Sequence, residues 1–164
     1  MARATDDQKW EGVSCVEIEG LTADEAWPLL ADFCNIHKYD PALDTSYMVD
    51  GEPGKAGMVR FCASSKRKSA DGSPIILWVK ERMSMIDPVL RCIRYEITEN
   101  NMGFKKYSAT MKILPGMSGC VIERSFVADP VEGWTRDALG EYLGKSLQAM
   151  GRNIESLLQA SASG

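Results

Sequence analysis

The chain has 164 residues, of which 45% are hydrophobic and 26% are charged, a composition typical of globular proteins. It carries 19 Lys and Arg residues against 23 Asp and Glu residues, and the formal net charge of -4 argues against a nucleic-acid-binding protein. No apolar run approaches the roughly 18 residues that a membrane-spanning helix requires. The length predicts one domain, which we place at residues 9–160, after a disordered tail over residues 1–8 that lacks the apolar stretch of a signal peptide.

Cysteine and histidine usage limits the metal sites and the redox chemistry that the chain can hold. The five cysteines, at positions 15, 34, 62, 92 and 120, are odd in number, widely spaced and free of CxxC motifs, which argues against a disulfide framework and a zinc site. The one histidine, His37, excludes a multi-histidine metal centre, and we expect it at a helix surface or at the rim of a pocket. These features predict a cytoplasmic protein without a metal or an organic cofactor.

The first quarter of the chain predicts one strand and two short helices. Lys9 to Ile18 has the alternating pattern of a strand. Thr22 and Glu25 form a capping-box pattern, in which the threonine hydroxyl accepts from the glutamate amide and the glutamate carboxylate reaches back. We therefore predict a helix over residues 23–33 and a second short helix within residues 35–43, which Pro41 interrupts.

The rest of the chain alternates short apolar runs with turn residues, a spacing that predicts antiparallel hairpins. The six predicted strands cover residues 45–50, 58–64, 74–86, 89–99, 105–114 and 119–127. The period then changes to that of an amphipathic helix, predicted over residues 133–159. Three glycines in this helix, Gly140, Gly144 and Gly151, indicate close approach to the sheet or to a ligand, because glycine otherwise weakens a helix.

This order of elements predicts an α+β fold in which a curved, seven-stranded antiparallel sheet packs against two short helices and one long C-terminal helix. One helix cannot fill the concave face of such a sheet, so we expect a cavity of roughly a few hundred Å³ between them. Its predicted lining includes Leu77, Tyr95, Tyr107, Leu143 and Leu147. The predicted partner is a small hydrophobic or amphipathic molecule, and the protein is expected to be a monomer or a weak dimer.

Two charged residues interrupt apolar faces of the predicted strands. Glu81 lies on the more apolar face of its strand, where a carboxylate must be paired, protonated or functional, because burial of a lone charge is costly. The alternative is a strand-end residue that reaches solvent or forms a structural ion pair. Arg60 shares a face with Met58 and Cys62 and is a suitable bidentate partner for the glutamate, although the opposite face of its strand could equally be the inner one.

Two tyrosines, Tyr95 and Tyr107, fall among apolar residues of neighbouring strands and are predicted to point inward. A buried tyrosine hydroxyl needs a hydrogen-bond partner, which is either a ligand or a backbone carbonyl. In an apolar pocket a glutamate can accept and return a proton, an adjacent arginine can stabilise a developing oxyanion, and tyrosine hydroxyls can orient the polar end of a ligand. Together with Arg60 and Glu81, the tyrosines suit isomerisation or proton transfer on a small polarised molecule.

Several segments resemble those of a known family. The element order and the glycine loop Gly51–Gly57 resemble the birch-pollen-allergen, START-like and polyketide cyclase/lipid transport helix-grip superfamily. More narrowly, about residues 9–160 are similar to the family of plant lachrymatory-factor synthases and their relatives. The similar segments are Lys9-Trp10-Glu11-Gly12, Ala26-Trp27, Asp32-Phe33 with Asn35-Ile36-His37-Lys38, Gly57-Met58-Val59-Arg60, Trp78-Val79-Lys80-Glu81 and Tyr107-Ser108-Ala109-Thr110-Met111.

This resemblance implies a cofactor-independent isomerase. In that family a pocket arginine and glutamate rearrange a small sulfenic acid to a thial S-oxide, while pocket tyrosines help to bind the sulfur–oxygen group. The matching positions are Arg60 and Glu81 as catalytic residues, and Tyr95 and Tyr107 as binding residues. The chain departs from the family pattern at Leu77, where the family has an aromatic residue, and at Ser146, where it has tryptophan, and both changes imply a reshaped, wider pocket.

A carrier or hormone-binding protein of the same fold is the competing interpretation. In such a protein Arg60 and Glu81 would bind a ligand carboxylate or hydroxyl through water. The resemblance argues somewhat against the hormone-receptor branch, because Gly51–Gly57 lacks the Ser-Gly-Leu-Pro type of gate sequence found there. A structural protein with a filled core is a third interpretation.

Overall fold

The computed structural model describes residues 8–163, which form seven strands, two α-helices and one 3₁₀ helix. The predicted tail over residues 1–8 therefore lies, apart from Gln8, outside the described residues. The strands are β1 (Trp10–Glu19), β2 (Thr45–Asp50), β3 (Val59–Lys68), β4 (Pro74–Asp87), β5 (Cys92–Asn100), β6 (Tyr107–Pro115) and β7 (Gly119–Ala128). The helices are α1 (Ala23–Ala31), the 3₁₀ helix (Phe33–Lys38) and α2 (Arg136–Ser163).

The seven strands form one antiparallel sheet in the order β1-β7-β6-β5-β4-β3-β2. After β1 the chain crosses through α1 and the 3₁₀ helix to the far edge, where β2 begins a meander that returns to β7 beside β1. Register shifts interrupt the β2–β3, β3–β4 and β4–β5 ladders, and such bulges bend strands. The predicted α+β helix-grip architecture, a curved sheet with a long C-terminal helix, is confirmed.

The first helix begins as predicted but ends earlier. Thr22 Oγ1 accepts from the Glu25 amide and Glu25 Oε1 accepts from the Thr22 amide, both at 3.1 Å, which is the predicted capping box. Asp32 leaves the helical conformation with ψ of 61°, so α1 stops at Ala31 and Phe33 starts the 3₁₀ helix. The second short helix is therefore a 3₁₀ helix that lies earlier than the predicted range 35–43.

Other predicted boundaries move for local reasons. The amides of Val89 and Leu90 bind Asp87 Oδ1 at 3.0 and 3.1 Å, and Arg91 has a left-handed φ of 52°, so β5 begins at Cys92 instead of residue 89. A bulge lets β3 continue to residue 68, beyond the predicted end at residue 64. The α2 helix starts at residue 136, where the preceding Thr135 side chain accepts from the Ala138 amide at 3.0 Å.

The long helix packs closely against β1. A Cβ atom on Gly151 would lie 2.5 Å from Val16 Cγ2, so the helix backbone meets the strand there. The corresponding atom on Gly144 would lie 3.8 Å from Ser14 Cβ, and one on Gly140 would meet nothing within 4 Å. The predicted close approach is therefore confirmed at Gly151, weaker at Gly144 and wrong at Gly140.

The core lies between the sheet and the helices. Its most buried members include Phe33, Ile113, Ile122 and Leu139, contributed by the 3₁₀ helix, two central strands and α2. All five cysteines are free thiols. Among the described residues, no helix combines the length and apolar character that crossing a membrane requires.

Candidate ligand-binding site

A cavity of about 140 Å³ lies between the inner face of the sheet and α2. It is smaller than the volume expected from the sequence. Core side chains such as Met83 and Leu147, both 0% exposed, pack in the hydrophobic cluster and do not line the cavity. Apolar side chains form much of its wall, including Ile36, Val79, Ile97, Phe104 and Met111. The polar and thiol groups on the wall belong to Asp40, Arg60, Cys62, Glu81, Tyr95, Tyr107, Arg124, Tyr142 and Ser146.

Arg60 and Glu81 form a buried ion pair on this wall. They are direct cross-strand partners on β3 and β4, with 6% and 8% of their surfaces exposed. Arg60 Nε donates to Glu81 Oε1 at 2.9 Å, and Arg60 Nη2 lies 2.8 Å from the same oxygen. Within the described part of the chain, both contacts fall on Oε1, which leaves Glu81 Oε2 available to a ligand. Arg60 and Glu81 therefore both lie on the inner face of the sheet.

The 3₁₀ helix fixes the position of the Arg60 guanidinium. Nη1 donates to the Phe33 carbonyl oxygen at 2.9 Å, and the guanidinium carbon lies 3.7 Å from the centre of the Phe33 ring and 4.9 Å from that of Tyr95. Burial by itself lowers the pKa of Arg60, but the charge and hydrogen bond of Glu81, together with the nearby Cys62 and Tyr95, more than offset that effect, so the pKa is raised. Arg60 therefore stays cationic inside the protein, where it can stabilise an oxyanion.

Two tyrosine hydroxyls and a second arginine stand deeper in the cavity. Tyr95 and Tyr107, 4% and 6% exposed, point inward as predicted. Burial raises the pKa of Tyr95, and it raises that of Tyr107 well above the usual value, so both hydroxyls remain protonated donors. Arg124 also lines the cavity, and its Nη2 donates to the Leu143 carbonyl oxygen in α2.

Burial raises the pKa values of two further titratable groups on the wall. The Cys62 thiol, two residues after Arg60, has its pKa raised to about 12, so it is protonated at neutral pH. Burial also raises the pKa of the Asp40 carboxyl, although a hydrogen bond from the Ala42 amide at 3.0 Å acts in the opposite direction. Asp40 follows the 3₁₀ helix and is the second carboxyl group on the wall besides Glu81.

Three of the five predicted lining residues, Tyr95, Tyr107 and Leu143, line the cavity, whereas Leu77 and Leu147 do not. Leu77 shares the inner face of β4 with Glu81 by alternation, but it lies opposite Ser64, further along the strand than the cavity extends. Leu147 is fully buried in the core cluster, because the face of α2 towards the cavity is the one that carries Leu143, Ser146 and Met150.

Arg124 and Asp40 are the charged wall residues that sequence reasoning missed. Arg124 interrupts the buried face of β7 formed by Cys120, Ile122 and Phe126, which is the same signal that identified Glu81. Applying the alternation test to β7 would have found it. Asp40 lies in an irregular segment with no periodicity, so no comparable signal marks it.

His37 is outside the cavity wall. Its Nδ1 lies 2.6 Å from Ser46 Oγ, and that hydroxyl donates to the Cys34 carbonyl oxygen at 2.8 Å, so this group ties the 3₁₀ helix to β2. Within residues 8–163, no three His, Cys, Asp or Glu side chains are grouped so that they could hold a metal ion. The groups on the wall can form hydrogen bonds and ion pairs and can transfer protons.

Comparisons with known proteins support the fold and the family. A family model described as polyketide cyclase/dehydrase and lipid transport matches residues 10–159. The ginseng (Panax ginseng) major latex-like protein 151 has a similar structure, with a TM-score of 0.69 and 20% identity over 90% of this chain and 96% of that chain. The Bacillus cereus protein XoxI is similar with a TM-score of 0.68 and 22% identity, over 87% of this chain and 93% of that chain. At these identities the two structures show a shared fold.

Proposed function

Because the chain belongs to the polyketide cyclase/dehydrase and lipid transport family, we propose that its cavity binds a small amphipathic molecule and rearranges it by acid–base chemistry without a cofactor. The proposal rests on the contact between Arg60 and Glu81, which uses one of the two oxygens of the glutamate carboxylate. Arg60 holds Oε1 of a buried carboxylate, and Oε2 remains available on the cavity wall. A carboxylate in such a place can act as a base towards a bound molecule.

The two residues have separate roles in the proposed reaction. Glu81 Oε2 takes a proton from one atom of the substrate and returns it to another. Arg60 stabilises the negative charge that develops on a substrate oxygen between these steps. The Tyr95 and Tyr107 hydroxyls donate to the polar end of the substrate and orient it.

The resemblance to plant lachrymatory-factor synthases suggests one such substrate class, a small alkenyl sulfenic acid. In that isomerisation the proton leaves the sulfenic oxygen and is added to the alkene carbon farther from sulfur. The alkene electron pair forms the new carbon–hydrogen bond, the O–H pair stays on oxygen, and a sulfur lone pair forms the carbon–sulfur double bond, so the thial S-oxide has the same atoms as the acid. Ser146 lines the cavity where the resembling family has tryptophan, which favours a substrate with a different shape.

The test compares two glutamates on neighbouring strands. A short alkenyl sulfenic acid is generated in the assay by β-elimination from the corresponding cysteine sulfoxide, and thial S-oxide formation is followed by mass spectrometry. We expect Glu81→Gln to lower the turnover rate by about a hundredfold or more, because a single general base contributes roughly that much. The matched control is Glu96→Gln, which removes the exposed partner of Arg82 on the outer face.

Each outcome has a defined meaning. Equal turnover by Glu81→Gln and Glu96→Gln would show that Glu81 is not the base. Absence of turnover by the wild-type protein would refute the isomerase proposal for this substrate class and favour the carrier. The carrier alternative has one specific observation in its favour: three Arg60 donor contacts already go to Glu81 and the Phe33 carbonyl, an arrangement that also suits a purely structural pair.

A further inference from the structure

Arg124 brings a second positive charge into the cavity, and one of its donors is unsatisfied. The residue lies in the middle of β7, between the buried Ile122 and Phe126, on the face that looks towards α2. Its Nη2 donates to the Leu143 carbonyl oxygen. Its Nε is buried and has no hydrogen-bond partner among the described residues. An unsatisfied buried donor on a charged group is costly, so such groups usually mark a binding partner.

The carboxyl groups on the cavity wall do not satisfy this arginine. Glu81 is held by Arg60, with contacts of 2.8 and 2.9 Å. Asp40 makes no ion pair with Arg124 among the contacts of the described residues, and burial favours its neutral form. The guanidinium of Arg124 therefore faces a space in which the matching negative charge has to come from a ligand.

Tyrosine hydroxyls add donors beside this guanidinium. Tyr107 lies on β6, next to β7, and its ring stacks on Phe126 with centroids 6.0 Å apart and an interplanar angle of 8°, which fixes its direction. The Tyr107 hydroxyl makes no hydrogen bond within the described part of the chain. The Tyr95 side chain also lines the cavity, and its hydroxyl can donate to an acceptor there. The cavity thus presents several donors and needs an acceptor with more than one oxygen.

We propose that this cavity also binds small amphipathic monocarboxylates, whose carboxylate contacts the Arg124 guanidinium and the adjacent tyrosine hydroxyls. A planar carboxylate matches the guanidinium fork, and its single charge balances the one arginine that lacks a close counter-charge. A phosphate would bring nearly two negative charges and leave one without a partner. The volume of about 140 Å³ is below the roughly 300–1,000 Å³ of pockets for drug-sized ligands, so the apolar part is short.

This inference rests on the proposed ligand-binding role of the cavity but not on proton transfer by Glu81. The reactive group of the ligand would face Arg60 and Glu81, while the carboxylate would lie against β7. The two arginines therefore have different partners, and they can be tested separately.

The experiment measures binding of straight-chain carboxylates, from butanoate to decanoate, by isothermal titration calorimetry. The primary amide and the alcohol of each chain length serve as uncharged analogues. We expect the wild-type protein to bind the carboxylate about tenfold or more tightly than its amide, because a hydrogen bond to a charged group contributes enough binding free energy for that ratio. Arg124→Gln should abolish this preference, and Arg124→Lys should keep part of it. Arg82→Gln, which removes an exposed arginine on the outer face, should leave it unchanged.

The outcomes separate this inference from the proposed reaction. Glu81→Gln should still bind the preferred carboxylate, at least as tightly as the wild type because Arg60 loses its counter-charge, even if it catalyses nothing. Equal affinity of the wild type for carboxylate, amide and alcohol would overturn the assignment of Arg124 and leave the ligand site intact. Absence of binding by every probe would overturn both the ligand site and the monocarboxylate proposal. Circular dichroism spectra of the variants establish that a loss of binding does not come from unfolding.

Discussion

Arg60 and Glu81 are buried opposite each other, and their contribution to folding stability is separate from their roles in the proposed reaction. Transfer of two charges from water into the protein costs free energy that their attraction only partly offsets, so the intact pair contributes little net stability. Loss of one partner is much more costly, because the remaining charge stays buried without compensation. Stability measurements on variants can therefore detect the pair even where no substrate is known.

We expect Arg60→Leu to lower the free energy of unfolding by about 3–5 kcal/mol, since it leaves the Glu81 carboxylate buried and unpaired. The double variant Arg60→Leu/Glu81→Leu should recover most of this loss. Arg82→Leu, which breaks the exposed pair with Glu96, should cost no more than about 1 kcal/mol. Urea unfolding gives the three values, and a double variant no more stable than Arg60→Leu would contradict the argument.

Asp40 predicts a pH dependence of stability. Burial raises its pKa above the ordinary value of 3.8, so the unfolded chain loses this proton before the folded protein does. The contribution of Asp40 is therefore fully present below about pH 3.8 and is lost as the pH rises through the folded-state pKa. We expect Asp40→Asn to be more stable than the wild type at pH 7, with the difference disappearing at acidic pH. Thermal unfolding as a function of pH measures this.

Asp44 provides a control of opposite sign. Hydrogen bonds from Ser65 lower its pKa to about 2, so its contribution is present above pH 3.8 and is lost as the pH falls towards 2. Asp44→Asn should therefore destabilise the protein at pH 7. If the two asparagine variants shift stability in the same direction at pH 7, the burial of Asp40 is not the cause.

At the level of elements, the contact between α2 and β1 predicts opposite effects for two glycines of one helix. A Cβ on Gly151 would lie 2.5, 3.1 and 3.4 Å from three atoms of Val16, so rotation of the valine cannot relieve the contact. Gly151→Ala should therefore lower the free energy of unfolding by about 1–3 kcal/mol, despite the better helix propensity of alanine. Gly140→Ala has open space and should raise it by up to about 1 kcal/mol. Chemical denaturation measures the free energy of unfolding of both variants. If α2 is not packed on β1, the two substitutions should have the same effect.

Element types and order could be predicted from the sequence because each depends on local periodicity. Period two marks the strands, the Thr22 capping box marks the start of α1, and period 3.6 marks α2. The ends of the strands and helices were less predictable, because they depend on contacts such as the hydrogen bonds that the following amides donate to Asp87. The 3₁₀ helix is held partly by Arg60, a contact between distant segments that no local pattern encodes.

The site was partly predictable for the same reason. Glu81 and Tyr95 could be assigned to the inner face by alternation, as could Arg60 once a partner was assumed. The rotation of α2 about its axis could not be predicted, because the apolar stripe contains both Leu143, which lines the cavity, and Leu147, which is in the core. Only the packing of the whole helix decides between them.

At the level of the whole molecule, the cavity is a gap in the packing of the core that a ligand-binding function would preserve. Ser146 lies on its wall, so Ser146→Leu would place three additional carbon atoms in the space of about 140 Å³. We expect the variant to be more stable than the wild type by about 0.5–2 kcal/mol, because it fills a void. Carboxylate binding should fall by about tenfold or more.

The matched control for the filled cavity is Ser156→Leu, on the exposed surface of the same helix. It should change neither stability nor binding by a comparable amount. Thermal unfolding and calorimetry measure both quantities for the two variants. Unchanged binding by Ser146→Leu would place the ligand outside this cavity.

The pairing of β1 with β7 also determines when the protein can fold during its synthesis. Trp10 is opposite Ala128 in the ladder, and the helix that covers β1 begins only at residue 136. During synthesis β1 must therefore wait until β7 and α2 have been made before its partners exist. Until then its backbone donors and acceptors form an open edge, and contacts between such distant segments close slowly. The nascent chain can consequently associate with other chains through β1.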